Sequence, residues 1–160
     1  GGFLLGGVHM KQRGFEVVRA YADQGIRLPQ RKTAASAGYD MEAAEAVMLV
    51  PHQVTVVPTG LKAYMPKDEY LGIHVRSGFS IREMVSCVND EGIIDADYYD
   101  NEDNEGHIMV ALYNHSDHPI AVEKGMRIAQ GIFHGYRMAD GDAAGVGEKR
   151  RGGFGSTGTA

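Results

Sequence analysis

Val54-Thr55-Val56-Val57-Pro58-Thr59-Gly60-Leu61-Lys62-Ala63-Tyr64-Met65 decides the fold class. Val54 and Val56 flank Thr55, and Leu61, Ala63 and Met65 alternate with Lys62 and Tyr64. A period of two belongs to a strand with one face buried. Pro51 and Pro58 bracket the first run, and Pro58-Thr59-Gly60 reads as a turn after it.

The same signature recurs further along. Leu71, Ile73 and Val75 alternate with Gly72, His74 and Arg76. Ile108, Val110 and Leu112 alternate with Met109, Ala111 and Tyr113, and Ile128 to Phe133 is another apolar run. Asn114-His115-Ser116-Asp117 and Glu123-Lys124-Gly125 mark turns, and 22 glycines and 5 prolines cut the chain into short pieces. Many short strands at this spacing predict a sandwich, jelly roll or barrel. One helix is predicted over Ile81 to Val88. Ser80-Ile81-Arg82-Glu83 has the spacing of a capping box, and Ile81, Val85 and Val88 fall near one helical face. Arg76-Ser77-Gly78 stands directly before it. A helix start with free N–H groups and a cation can hold an anion, and can equally be an ordinary capped turn.

Residues 1–9 read as an expression remnant, with a natural start at Met10, and residues 10–138 as the β domain. Residues 139–160 read as a flexible linker followed by the basic stretch Lys149-Arg150-Arg151 and the Gly-rich segment 152–158. Such a tail can wrap phosphate through its N–H groups, or be a plain flexible end.

Composition narrows the function. Across 160 residues the net charge is −5, without the basic excess that nucleic-acid binding needs. No run approaches the ~20 apolar residues of a membrane helix. The single cysteine, Cys87, cannot form an internal disulfide and is read as a small buried hydrophobe. A soluble, cytoplasmic protein is expected. The seven histidines lack metal-ligand spacing, so no protein-built metal centre is expected. Asp95, Asp97, Asp100, Glu102, Asp103 and Glu105 suggest a calcium loop, but Asp100 and Gly106 stand where Gly and Glu are needed. Most of this run is read as a solvated loop.

Five segments then stand in order: Ala37-Gly38-Tyr39-Asp40-Met41; Val75-Arg76-Ser77-Gly78-Phe79; Asn89 with Gly92-Ile93-Ile94-Asp95-Ala96-Asp97-Tyr98; Lys124-Gly125-Met126-Arg127-Ile128-Ala129-Gln130; and Gly152-Gly153-Phe154-Gly155-Ser156-Thr157-Gly158. Together they resemble the five motifs of the trimeric dUTPase family, and with Pro29 and Arg31 upstream they span residues 29–158. The resemblance implies an all-β, distorted jelly-roll or barrel subunit with one short helix. It also implies a homotrimer with sites between subunits, and hydrolysis of dUTP to dUMP and pyrophosphate. That reaction limits uracil in DNA and supplies dUMP for thymidylate synthesis.

Roles follow from the resemblance. Asp95 matches the carboxylate that activates the attacking water, and Gln130 a side chain near the phosphates and that water. Asn89, Gly92, Ile93 and Ile94 match the uracil pocket, with Met109 adding backbone contacts. Tyr98 matches the ring that packs on the deoxyribose and leaves no room for a 2′-hydroxyl. Arg76, Ser77 and Gly78 match the phosphate-binding motif. In the tail, Phe154 is expected over the uracil, and Gly155, Ser156, Thr157 and either Lys149 or Arg151 on the phosphates. Mg²⁺ is expected to be held mainly by the substrate's phosphates. Asp40, Arg127 and Arg31 are read as structural or interface ion-pair partners.

Departures from the family pattern are Val75 in place of Pro, and Tyr99-Asp100 opening an acidic insertion. Two rival readings remain. A dCTP deaminase would share the fold but needs a deaminating acid/base in the uracil-pocket region. A protein-binding module would use the 99–105 insertion to hold a regulatory partner.

Overall fold

Residues 54–64 form two strands, but not a hairpin. Val54–Pro58 pairs with Met109–Asn114, whereas Leu61–Tyr64 pairs with Gly14–Val17. Pro58-Thr59-Gly60 therefore carries the chain from one sheet to another. Thr59 Oγ1 donates to the Ile108 carbonyl at 2.7 Å and accepts the Leu61 N–H at 3.2 Å. Gly60 adopts a φ of +72° at the corner, and its N–H is accepted by His107 Nε2 at 2.8 Å. A jelly roll needs such corners, where one strand hands the chain to the facing sheet.

The computed structural model describes residues 3–5 and 8–143. In chain order the elements are β1 (Phe3–Leu5), β2 (Val8–Met10), β3 (Gly14–Val17), β4 (Gln30–Arg31), β5 (Tyr39–Glu42), β6 (Val47–Leu49), β7 (Val54–Pro58), β8 (Leu61–Tyr64), β9 (Glu69–Val75), α1 (Ser77–Glu83), β10 (Val85–Cys87), β11 (Gly92–Asp95), β12 (Met109–Asn114), β13 (Ile120–Val122) and β14 (Arg127–Gly135). Short 3-10 turns lie at Arg19–Tyr21 and Ala96–Tyr98. The largest sheet runs β11-β9-β14-β5-β4, a second runs β10-β12-β7, and β3-β8, β6-β13 and β1-β2 are pairs. Every pairing is antiparallel. Among the described residues β1 and β2 pair only with each other.

The core lies between the sheets. Met41, Leu71, Ile73 and Ala129 enter it from the first sheet, and Val57, Val85, Cys87, Val110 and Leu112 from the second. Cys87 is buried, as a small hydrophobe should be, and burial pushes its thiol pKa up. On β7 the residues facing inward are Thr55 and Val57, so Val54 and Val56 point outward, 47 % and 46 % exposed.

The helix differs from the sequence expectation. It starts at Ser77, with Arg76 in extended backbone at the cap, and ends at Met84 in the left-handed region. Ser80 is therefore mid-helix and caps nothing; its hydroxyl donates to the Val85 carbonyl at 2.7 Å. Ile81 and Val88 are exposed, and the helix buries Phe79 instead. Val85-Ser86-Cys87 leaves the helix because β12 offers it a ladder, Val85 opposite Asn114 and Cys87 opposite Leu112. Tertiary pairing overrides a local capping pattern of modest strength.

One irregularity bears on the site. β14 slips register against β5 between Arg127 and Ala129, so that Ile128 and Ala129 are both fully buried. The bulge turns the Ile128 carbonyl to the N–H of Arg76 at 3.4 Å, tying β14 to the start of α1.

Candidate active site

The outer face of the large sheet carries polar rows. Residues directly opposite on neighbouring antiparallel strands share a face. Gln30, Asp40, Gln130 and His74 lie across from one another on β4, β5, β14 and β9. His134, Tyr70 and Asp95 form a second row on β14, β9 and β11. Between the rows stand Ile132, Gly72 and Ile93. The opposite side chains, Met41, Leu71, Ile73 and Ala129, are the buried ones, so packing the core forces this face outward.

At one end of the face the cations gather. Asp40 Oδ1 lies 3.2 Å from Arg76 Nε and Asp40 Oδ2 lies 3.6 Å from Arg127 Nη1. Asp40 and Arg127 are thus ion-pair partners, as expected. Arg31 makes no ion pair among the described residues; its Nη1 donates to the carbonyls of Ala34 at 2.7 Å and Ser36 at 3.1 Å, a structural role in that turn. An open pocket of about 800 Å³ adjoins Asp40 and Arg127 and is also lined by Arg27, Gln30, Arg31 and Lys32. Ser77 and Gly78 sit exposed in the first turn of α1, and no side chain caps that end.

The turn from β10 to β11, which carries the chain from one sheet to the other, holds the expected base-binding residues. Asp90 adopts a φ of +58° at its tip and donates its N–H to the Cys87 carbonyl at 3.0 Å. Asn89 is exposed, and a β-carbon on Gly92 would lie 3.8 Å from its Nδ2 and 3.3 Å from Ile73 Cβ. Ile93 is exposed, Ile94 packs against the core, and Asp95 ends β11 half-buried, leading into the Ala96–Tyr98 turn. Met109 opens β12 opposite Pro58.

Tyr98 is 7 % exposed; its hydroxyl donates to the His107 carbonyl at 2.6 Å and accepts from Asn104 Nδ2 at 2.8 Å, which locks the ring. Gly106 is needed beside it. At a φ of +85°, a β-carbon there would come within 2.7 Å of the Tyr98 carbonyl.

Most of the acidic run faces solvent, as expected: Asp97, Asp100, Glu102 and Asp103 are exposed, while Glu105 is half-buried and tied to the body of the fold. Lys62, on an alternating strand that suggested an outward side chain, is buried instead, and its Nζ donates to Asp100 at 2.5 Å and Glu105 at 2.7 Å. Arg19 adds its guanidinium to Glu105 at 3.0 Å, and the Tyr99 hydroxyl donates to Glu16. Lys62 also sits 5.0 Å from the centre of the Tyr99 ring. Burial alone would raise the Glu105 carboxyl, but hydrogen bonds from Lys62 and Arg19 outweigh it and pull the pKa down to about 2. Burial, then the bond to Glu16, pushes Tyr99 up to about 12.

Asp95 and Gln130 do not meet within one chain. Their rows are set by Tyr70 and His74 on β9, four residues apart, a separation of roughly 13 Å along the strand. Asp40, Arg76, Arg127 and Gln130 do gather, as do Asn89 and Gly92 to Ile94. The tail residues Lys149, Arg151, Phe154, Gly155, Ser156 and Thr157 lie outside the described residues. Sequence reading quoted Gly38 in the first motif but gave it no role, and it missed the polar set His74, Glu91 and His134, which only the fold brings together.

A β-sandwich frame with a half-buried carboxylate at the end of β11 and guanidinium groups beside the same sheet suits a hydrolase for an anionic substrate. The family model for dUTPase matches residues 24–158. Over 149 residues the chain is 48 % identical to deoxyuridine 5'-triphosphate nucleotidohydrolase of Lactococcus lactis subsp. lactis, covering 93 % of this chain and 99 % of that protein. It is 38 % identical over 151 residues to the protein of the same name from Brucella melitensis, covering 90 % and 92 %. The crystal structure of dUTPase from Streptococcus mutans matches with a TM-score of 0.76 and 40 % identity, over 80 % of this chain and 99 % of that one. The dUTPase of phage phi11 of S. aureus shares the fold, with a TM-score of 0.69 at 18 % identity. The chain belongs to the dUTPase family.

Proposed function

We propose that the protein hydrolyses dUTP to dUMP and pyrophosphate with Asp95 as the base. Asp95 orients a water and takes its proton as the oxygen attacks the α-phosphorus; the bond to the bridging oxygen of the β-phosphate breaks, and pyrophosphate leaves. The observation that carries this reading is the position of Asp95. It stands half-buried at the end of the strand that begins with Gly92, on the polar outer face. Uracil is read by Asn89 and the main chain of Gly92 to Ile94, with Met109 nearby, and the locked ring of Tyr98 serves as the wall against the sugar. A close wall excludes a 5-methyl group more plausibly than a lost contact would.

Arg76, Ser77 and Gly78 bind phosphate, with Arg76 exchanging its partner Asp40 for the substrate, and Gln130 lies beside it. The tail supplies Phe154 to the base and Gly155, Ser156, Thr157 and Lys149 or Arg151 to the phosphates. The separation of Asp95 from Gln130 supports a homotrimer whose sites combine residues of different subunits. The outward Val54 and Val56 give that assembly an apolar face to cover.

Among the described residues no group of three or more His, Cys, Asp or Glu side chains is arranged to hold a metal ion. The arrangement fits Mg²⁺ bound chiefly by triphosphate oxygens, where it would neutralise charge on the departing pyrophosphate. No helix among the described residues is long and apolar enough to cross a membrane.

The test is pyrophosphate release with Mg²⁺ from dUTP, dCTP, dTTP and UTP in parallel, with ammonia measured for dCTP. Release from dUTP alone, lowered at least about 10²-fold in Asp95→Asn with nucleotide binding kept, is expected. Ammonia from dCTP, or full activity in Asp95→Asn, would overturn the reading.

A further inference from the structure

The turn between β10 and β11 has one residue that reaches back to the sheet. Val88, Asn89 and Asp90 are exposed, while Glu91 is half-buried. Its Oε1 stands 3.4 Å from His74 Nε2 on β9 and 4.0 Å from His134 Nε2 on β14. The carboxylate lies over Gly72, where a β-carbon would overlap Oε1 and stand 3.0 Å from Cδ. His134 Nε2 is buried with no hydrogen-bond partner among the described residues, and the Glu91 carboxylate faces it. The His134 ring is itself stacked on Tyr70, 5.0 Å between centroids and 17° between planes. The two imidazoles are thus set by the β9–β14 ladder, and Glu91 is the part that comes to them.

The contacts are electrostatic in kind: the carboxylate stands near both ring nitrogens without a hydrogen bond to His134, and it is the acidic group closest to that buried nitrogen's open side. Asp95, at the far end of β11, is held by its own pairing with Tyr70.

We propose that Glu91 is a positioning residue for base recognition. Seated between His74 and His134 above Gly72, it fixes the turn that carries Asn89 and the main chain of Gly92. This rests on the reading of those two residues as part of the uracil pocket. Loss of the seat loosens the wall at the uracil 5-position and leaves the water-activating carboxylate where it is. Binding and selectivity therefore change, and chemistry does not.

The experiment measures KM and kcat for dUTP and dTTP in the full-length protein, comparing wild type with Glu91→Ala, Glu91→Gln, Gly72→Ala and the Glu91→Ala/Gly72→Ala double variant. Gly72→Ala unseats the carboxylate without altering it, and only a side-chain end must move. We expect each alanine variant to raise KM for dUTP about tenfold, with kcat held within about twofold, and to lower the dUTP/dTTP preference about tenfold. The double variant should be no worse than either single one, since both remove the same interaction. Glu91→Gln should recover part of the loss, because its amide oxygen still turns a negative dipole end to the ring nitrogens. An unchanged KM and preference in Glu91→Ala, a normal Gly72→Ala, or additive losses would overturn the proposal. A wild-type protein that does not hydrolyse dUTP would sink the functional reading and this proposal with it; an active wild type with unaffected variants sinks this one alone.

Discussion

Gln130 lies across Gly38: a β-carbon on Gly38 would stand 3.1 Å from both Cβ and Cδ of Gln130 and overlap its Oε1. Because Gln130 is opposite Asp40 in the ladder, Gly38 sets where its amide points relative to the cationic end of the sheet face. Gly38→Ala should push that amide away while sparing the core. The expected result is a fall in kcat for dUTP of about tenfold or more, with little change in melting temperature. Steady-state kinetics beside a thermal melt checks it; an unchanged kcat would remove Gln130 from the phosphate site.

The Lys62–Glu105 pair should appear in acid stability. The folded Glu105 has a pKa of about 2 against an ordinary 4.5. Its contribution is complete above about 4.5 and is lost as the pH falls towards 2, since the unfolded chain takes up the proton first. Glu105→Gln should lower stability at neutral pH and flatten the acid limb between those values. Urea unfolding as a function of pH would read both effects.

Removing the cation is expected to be worse. Lys62→Met would leave Asp100 and Glu105 facing each other without their cation, Glu105 14 % exposed and Asp100 half exposed. A loss of about 3 kcal/mol in unfolding free energy is expected. Glu105→Gln/Lys62→Met should lose less than the sum of the single changes, as a double-mutant cycle would reveal.

His107 gives a second acid response. Burial lowers its pKa from the ordinary 6.5, and its Nε2 accepts the Gly60 N–H, which requires the unprotonated nitrogen. Its contribution is present above 6.5 and is lost as the pH drops below that value. His107→Gln should flatten the stability profile below about pH 6.5. Identical slopes in variant and wild type would overturn this.

The tail is tested by shortening. A chain ending at Ala143 keeps every element described here. It should melt near the wild-type temperature and lose most dUTP hydrolysis if Phe154 to Thr157 contact the nucleotide. Full activity would remove those residues from the site.

Much of this was legible in the sequence, for physical reasons. The strands at 54–58, 61–64, 69–75, 109–114 and 127–135 were marked by alternation and by Pro, Gly and Asn punctuation. The motif around Gly92 and Asp95 fell on one strand, where Gly92 lies close against Ile73 across the β9 ladder. The helix was misplaced because capping spacing is local, whereas Val85-Ser86-Cys87 was claimed by a strand nearly thirty residues away. The anchoring of Asp100 and Glu105 was not legible because their counter-charges, Lys62 and Arg19, are distant in sequence. The corner at Pro58-Thr59-Gly60 was recognised as a turn, but not as a change of sheet, since nothing local names the partners of either strand.

The Lys62 site also constrains the order of assembly. Its partners arrive 38 and 43 residues later in the chain, while Arg19 and Glu16 wait 86 and 83 residues for Glu105 and Tyr99. During synthesis, strands β3 and β8 can pair early, with Lys62 opposite Glu16, yet the carboxylates that accept from the Lys62 ammonium come only with Asp100 and Glu105. The insertion thus works as a late clasp, closing over a strand pair made before it.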